Sequence, residues 1–208
     1  MVSNPHEKDI QMKLYTYPKS RSLRAVWALE EIGVPYETVK VDLLSPAPAV
    51  KSPHPFGKVP FLVDGPCSVG ETLAICLYIC EQHPSALYPQ DAAERATVNA
   101  WISFALTDLE SGVWGLLKQL VFTPENQRSA DVINYFRGEA SSAVARVSLP
   151  AGQDWITGKQ FTLADIFLSH VLMWAKLCGI PLSDELESYI ARAASRPAFL
   201  QAQERNNG

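Results

Sequence analysis

The chain has 208 residues, 47% of them apolar and 19% charged, with a formal net charge of -4. This is enough material for two small domains and a sizeable core. It lacks the basic excess that marks a nucleic-acid or anionic-membrane partner. No apolar run approaches the roughly 20 residues of a membrane helix, and residues 1–11 read as a polar tail without a secretory signal. The four cysteines, Cys67, Cys76, Cys80 and Cys178, form no Cys-x-x-Cys motif and no disulfide scaffold. Cys76 and Cys80 stand one helical turn apart and read as buried small hydrophobes before metal ligands. The expected setting is reducing and cytoplasmic.

Residues 12–17 form a β-prone run closed by Pro18. The polar segment Lys19-Ser20-Arg21-Ser22 then opens a helix with Val26, Leu29 and Ile32 on one face, away from Arg24, Glu30 and Glu31, and Gly33 stops it. Residues 36–41 alternate as a second strand, so the opening is a right-handed βαβ unit. Residues 45–57 carry Pro46, Pro48, Pro53, Pro55 and Gly57, which leave room for a short irregular helix at most. A strand over 59–63, a turn at Asp64-Gly65, a short strand near 67–69 and a helix over 71–81 complete a β-α-β-α-β-β-α order.

Beyond Pro89 the β signal ends. Val98, Trp101, Ile102, Ala105, Leu109, Val113, Leu116 and Leu120 make a long helical stripe broken by Pro124. Ile133, Phe136, Ala140, Val144 and Val147 make another, closed by Pro150. Thr162 and Asp165 fit a capping box, with Phe161 able to staple onto Ile166. A last helix precedes Pro197. The expectation is a polar tail at 1–11, an α/β domain at 12–85 and an all-α domain at 92–208.

The chemistry concentrates at two places. Pro60 stands at a strand entrance, where proline is tolerated and where a cis bond is accessible. A cis bond would turn the backbone of Val59 outward, free to pair with an extended peptide-like ligand. Glu71 and Thr72 would open a helix beside that edge, where free N–H groups attract a carboxylate. The layout suits a small anionic peptide carrying an α-amino group. Asp165 reads as a structural helix lock whose loss removes about 0.5–2 kcal/mol. His170, on an apolar stripe, reads as a core histidine.

Lys13-Leu14-Tyr15, Ser20-Arg21-Ser22-Leu23-Arg24-Ala25-Val26, Ala28-Leu29-Glu30-Glu31, Pro55-Phe56-Gly57-Lys58-Val59-Pro60, Glu71-Thr72-Leu73-Ala74-Ile75 and Thr162-Leu163-Ala164-Asp165 occur in order. Together they resemble the cytosolic glutathione S-transferases of the serine-using, bacterial type. The resemblance implies a thioredoxin-like domain followed by a helical domain, glutathione as co-substrate, no metal, and a homodimer. It implies a transferase, with detoxification as a typical task, that favours the glutathione thiolate for attack on a small apolar electrophile. Glutathione-dependent peroxide or disulfide reduction, and a non-catalytic binding module, are the alternatives.

A hydroxyl at the first helix entrance would stabilise that thiolate, helped by the helix dipole. A shift of about 2 pKa units corresponds to roughly 2.7 kcal/mol. Counting back from Arg24 favours Ser20, with Ser22 as the competitor; either can also be a plain N-cap. The cysteine used by other classes near Arg21 is absent. The resemblance further gives Val59 and Pro60 to the cysteinyl part of glutathione, Glu71 to its ammonium and Thr72 to its carboxylate. Thr72 departs from the serine more usual there but keeps the hydroxyl. Lys58, and Lys51 beyond it, are candidates for the glycyl carboxylate. Tyr17, Phe104 and Trp114, with Trp101 and Asp108 on the same helical run, are the expected lining of the electrophile pocket. Phe56 either packs under its loop or inserts into a partner subunit, with loop packing favoured.

Overall fold

The computed structural model describes residues 12–207; the tail expected over 1–11 lies outside the described residues. These residues divide into two compact units, one made of 12–85 and 197–207, the other of 86–196.

The first unit is built on a four-stranded sheet of order β2-β1-β3-β4. Its strands are β1 (Met12–Thr16), β2 (Glu37–Lys40), β3 (Phe61–Asp64) and β4 (Cys67–Gly70). β1 runs parallel to β2 and antiparallel to β3, and β4 returns from β3 through Gly65-Pro66. Met12, Leu14 and Thr16 are buried while Lys13 is exposed, the period-two pattern of a sheet with one face on the core. Leu14 sits opposite Leu62, and both are fully buried. This is the thioredoxin-like sheet, with helices α1 (Ser22–Ile32) and α2 (Thr72–Gln82) packed against each other and onto it.

Several expectations change. β3 begins at Phe61, not at residue 59, because Pro60 has no N–H for a ladder. Tyr17 lies just past β1 rather than within it. Residues 45–57 form turns and no helix, since four prolines remove the donors a helix needs. That loop is closed instead by Asp42, whose carboxylate accepts from Ala49 N–H and Val50 N–H, each at 2.9 Å.

Pro197 does not end the chain's helices. It is the first residue of α8 (Pro197–Asn207), a position where a missing N–H is harmless. α8 packs on α1 and belongs with the first unit, so the helical stretch expected over 92–208 does not stay together. α8 also explains why α1 is buried on more than one face. Trp27 meets Phe199 edge-on at 4.7 Å, and Arg205 pairs with Glu30 at 2.8 Å. Arg24, expected away from the core face, is fully buried.

The second unit is helical: α3 (Ala92–Phe104), α4 (Glu110–Leu117), α5 (Ala130–Val144), α6 (Leu163–Leu177) and α7 (Asp184–Ala194). The long stripe from Val98 to Leu120 is one helical run interrupted by two π-turns, Ala105–Leu109 and Lys118–Phe122. α5 ends at Val144, short of the stripe's Val147. α4 and α5 approach closely because Gly112 and Gly115 lack side chains. A Cβ on Gly112 would meet Ala140 N at 2.7 Å, and one on Gly115 would meet the Phe136 ring at 2.4 Å.

The capping box at α6 is present as expected. Asp165 is fully buried and accepts from Thr162 N–H (2.8 Å), Ile156 N–H (2.9 Å), Tyr189 O–H (2.9 Å) and the Thr162 hydroxyl (3.2 Å). Burial pushes its carboxyl above the ordinary value, and these four donors pull it back. His170 is a core residue, 4.7 Å from the Trp174 ring.

Candidate active site

The register of the sheet assembles the site. β1 ends at Thr16, and its Tyr15 lies opposite Phe61, the first residue of β3. Phe61 in turn lies opposite Gly70, the last residue of β4. Three segments therefore leave the same end of the sheet side by side: Tyr17 to Ser22, Val59-Pro60, and Gly70 to Thr72. They hold Ser20, Ser22, Val59, Pro60, Glu71 and Thr72, which lie far apart in sequence. Lys58 precedes the second segment.

At the α1 entrance the two serines form a connected pair. Ser20 Oγ lies 2.6 Å from the Tyr17 carbonyl and 2.9 Å from Ser22 Oγ, and it accepts from Ser22 N–H at 3.1 Å. Ser22 Oγ accepts from Tyr17 N–H at 3.4 Å. Ser22 is fully buried, while Ser20 is half-buried. Ser20 is thus a local cap of the helix entrance that also keeps a face toward solvent. Lys19, just before it, takes a left-handed φ of 55°.

The Val59-Pro60 bond is cis. Val59 is half-buried and lies outside the β3 ladder. Glu71 is the N-cap residue of α2, with φ 63° and ψ 122° and no side-chain cap bond. Such a conformation is uncommon outside glycine and concentrates at functional sites. Its carboxylate is exposed, whereas Thr72 is buried. The first turn of α2 contains no acidic side chain. Its leading N–H groups have no intrahelical acceptor, so this end of α2 favours an anion.

Lys58 and Lys51 are exposed. Phe56 is 82% exposed, so it does not pack under its loop as favoured from the sequence. Its ring is held only at the loop surface, beside His54 at 5.7 Å. His54 was not singled out by the sequence, yet it touches Phe61 and Gly70. The only hint in the sequence was its place just before Pro55 in the proline-rich segment.

The expected electrophile-pocket residues fall in both units. Tyr17 belongs to the first, Phe104 and Trp114 to the second. Phe104 and Trp101 meet edge-on at 5.6 Å and line a shallow recess of about 210 Å³ with Ala100 and Arg146. Arg146 lies 5.5 Å over the Phe104 ring and 3.4 Å from Asp108. Trp114 stacks on Trp174 at 5.8 Å and meets Phe122 edge-on at 5.7 Å.

All four cysteines are free, and Cys76 and Cys80 are buried on α2. Burial pushes the Cys80 thiol up to about 12 and the Cys76 thiol higher still, which makes both poor nucleophiles. No group of three His, Cys, Asp or Glu side chains among the described residues could hold a metal ion. No helix among them is long and apolar enough to cross a membrane.

Comparisons with known proteins agree with this geometry. Residues 10–81 match the model of the glutathione S-transferase N-terminal domain. A glutathione S-transferase of Xanthomonas campestris, GST-4.5, is 32% identical over 208 residues, spanning 92% of this chain and 98% of that protein. The crystal structure of a glutathione transferase from Methylococcus capsulatus superposes with a TM-score of 0.81 at 26% identity, covering 94% of this chain and 98% of that one. A theta-class glutathione S-transferase from Xanthomonas axonopodis, solved with glutathione bound, aligns with a TM-score of 0.71 at 26% identity over 93% of this chain and 97% of that one. On the full-length likeness to GST-4.5, joined to the sheet-end geometry, this chain belongs to the glutathione S-transferase family.

Proposed function

We propose that this transferase activates the thiol of glutathione for attack on a small apolar electrophile, with Ser20 as the hydroxyl that stabilises the thiolate. The observation that carries the reading is the sheet register. It brings the Ser20 entrance, the Val59-Pro60 edge and the Glu71-Thr72 helix end to one place.

A Ser20 hydroxyl has one proton and two neighbouring acceptors, the Tyr17 carbonyl and Ser22 Oγ. When a thiolate arrives, that proton turns to sulfur, and Ser22 O–H takes over the bond to Ser20 Oγ. Both serines keep their partners, and the cost of redirecting the donor is the bond given up at the Tyr17 carbonyl, offset by a charge-assisted bond to sulfur. Ser22, fully buried and bonded to Tyr17 N–H, acts as the support of this pair. The positive end of α1 adds to the effect.

The tripeptide lies along the Val59 edge with its cysteinyl backbone paired to Val59. Its ammonium meets Glu71, its γ-glutamyl carboxylate meets Thr72 and the free N–H groups of α2, and its glycyl carboxylate meets Lys58. Phe104, at the recess it forms with Trp101 and Arg146, offers an apolar surface of the kind a small electrophile needs. The enzyme works as a cytoplasmic homodimer with a detoxifying role. An 82% exposed Phe56 is the kind of apolar projection a partner subunit covers.

The test is retention on immobilised glutathione, followed by turnover with halogenated aromatics, peroxides and mixed disulfides. Conjugation of the aromatics is expected, with Ser20→Ala reducing turnover about ten-fold or more and Ser22→Ala less. Failure to bind millimolar glutathione would favour a non-catalytic module. A larger loss from Ser22→Ala would move the role to Ser22.

A further inference from the structure

We infer that His54 is a positioning residue: its ring is wedged against Phe61 and Gly70, the residues that follow the Val59-Pro60 edge and precede Glu71, and sets the backbone of Glu71. The inference rests on the proposed glutathione site, and it concerns how that site is held in shape before any ligand arrives.

The wedge is visible at Gly70. A Cβ built on this residue would lie 2.7 Å from His54 Cδ2 and 2.8 Å from Nε2, so the imidazole occupies the space a side chain would need. Phe61 Cδ2 is 3.6 Å from the same point. The imidazole meets the Phe61 ring edge-on, with centroids 5.5 Å apart at 78°. Phe61 follows Pro60 directly and is the ladder partner of Gly70. One ring therefore touches the residue after the Val59-Pro60 edge and the residue before Glu71.

The ring is not free to swing away. Its Nδ1 accepts from Phe56 N–H at 3.0 Å, so the ring proton sits on Nε2, on the Gly70 side. The His54 carbonyl accepts from Gly57 N–H at 2.8 Å, and its own N–H donates to Ser52 Oγ at 3.2 Å. Ser52 in turn donates to the Lys58 carbonyl at 2.6 Å. These bonds tie residues 52–58 into one cassette that ends at Lys58 and Val59.

Glu71 is where positioning matters. A non-glycine residue with φ 63° is strained and persists only when its surroundings leave no alternative. The β4 ladder holds one side through Phe61 and Gly70, and α2 holds the other through Ile75 N–H to the Glu71 carbonyl at 3.0 Å. His54 closes the remaining side by blocking any movement of Gly70 toward the loop.

Removing the ring is expected to affect glutathione affinity rather than chemistry, because His54 acts through Glu71. In His54→Ala, KM for glutathione should rise about fivefold or more, with kcat within about twofold. Gly70→Ala should raise KM similarly by pushing the ring out of place. His54→Ala/Gly70→Ala removes the clash, so it should resemble the worse single variant and fall well short of the product of the two. His54→Asn keeps an acceptor for Phe56 N–H through an Asx-turn and should fall between wild type and His54→Ala.

Amide exchange at Thr72 and Leu73 in the ligand-free enzyme gives a readout that needs no glutathione. It should quicken about threefold or more in His54→Ala. Unchanged exchange, a KM within twofold of wild type, or effects that multiply in the double variant would each overturn the role given to His54. A wild-type enzyme that fails to bind glutathione would instead overturn the proposed function, while the exchange experiment still judges His54.

Discussion

The entrances of α6 and α2 are both helix N-termini marked by an acidic residue, and they are finished in opposite ways. At α6 the carboxylate of Asp165 is fully buried and consumed by four donors, two of them main-chain N–H groups. At α2 the carboxylate of Glu71 is exposed, makes no cap bond, and sits on a backbone at φ 63°. A saturated, dry helix end stabilises the fold. An unsaturated one, held in an unfavourable conformation, is ready for a ligand that brings its own charges.

The largest effect expected from this contrast is on stability at α6. Asp165→Ala leaves Ile156 N–H, Thr162 N–H and Tyr189 O–H buried without their acceptor. The loss should be about 3 kcal/mol, more than a cap alone, read by denaturant unfolding. Activity per folded molecule should stay within about twofold. A large loss of turnover in stably folded Asp165→Ala would erase the distinction between the two helix ends.

A smaller and opposite effect is expected at α2. Glu71→Gly relieves the left-handed backbone and should leave stability unchanged or raised by up to about 1 kcal/mol. The same variant should raise KM for glutathione about tenfold, because the ammonium loses its carboxylate. Lower stability together with unchanged KM would mean that Glu71 serves the fold and not the ligand.

What the sequence reveals follows the same division. The α6 box was legible because Thr162, Asp165, Phe161 and Ile166 lie within a few residues of one another. The Val59-Pro60 and Glu71-Thr72 segments were legible as local signals too, through a proline at a strand entrance and an acid-hydroxyl pair opening a helix. Periodicity carried α1 and the α5 stripe, and β propensity closed by Pro18 carried β1. Elements that depend on distant partners were hidden. α8 begins with a proline that reads as a stop, and its place on α1 is set by Phe199 meeting Trp27 across the length of the chain. Arg24 reads as a solvent-face residue, yet the fold buries it fully, with Cys76 of α2 close to its backbone. His54 sits in a proline-rich loop with no periodicity, and only the fold brings it to Gly70.

The serine pair lies between these cases. Its position before α1 was readable, and counting back from Arg24 favoured Ser20, but the burial of each hydroxyl is something a two-residue spacing does not encode. The structure leaves Ser20 half-buried and Ser22 fully enclosed.

The most direct measurement is a titration of the thiol of enzyme-bound glutathione, followed by thiolate absorbance in wild type and in Ser20→Ala. A thiol ordinarily loses its proton near about 8.5. Because the hydroxyl and the α1 dipole favour the anion, the bound midpoint should fall by about 2 units in wild type, so thiolate persists to lower pH, and should move back up in Ser20→Ala. A bound thiol that titrates as it does in plain buffer, or a midpoint that Ser20→Ala leaves in place, would contradict the account.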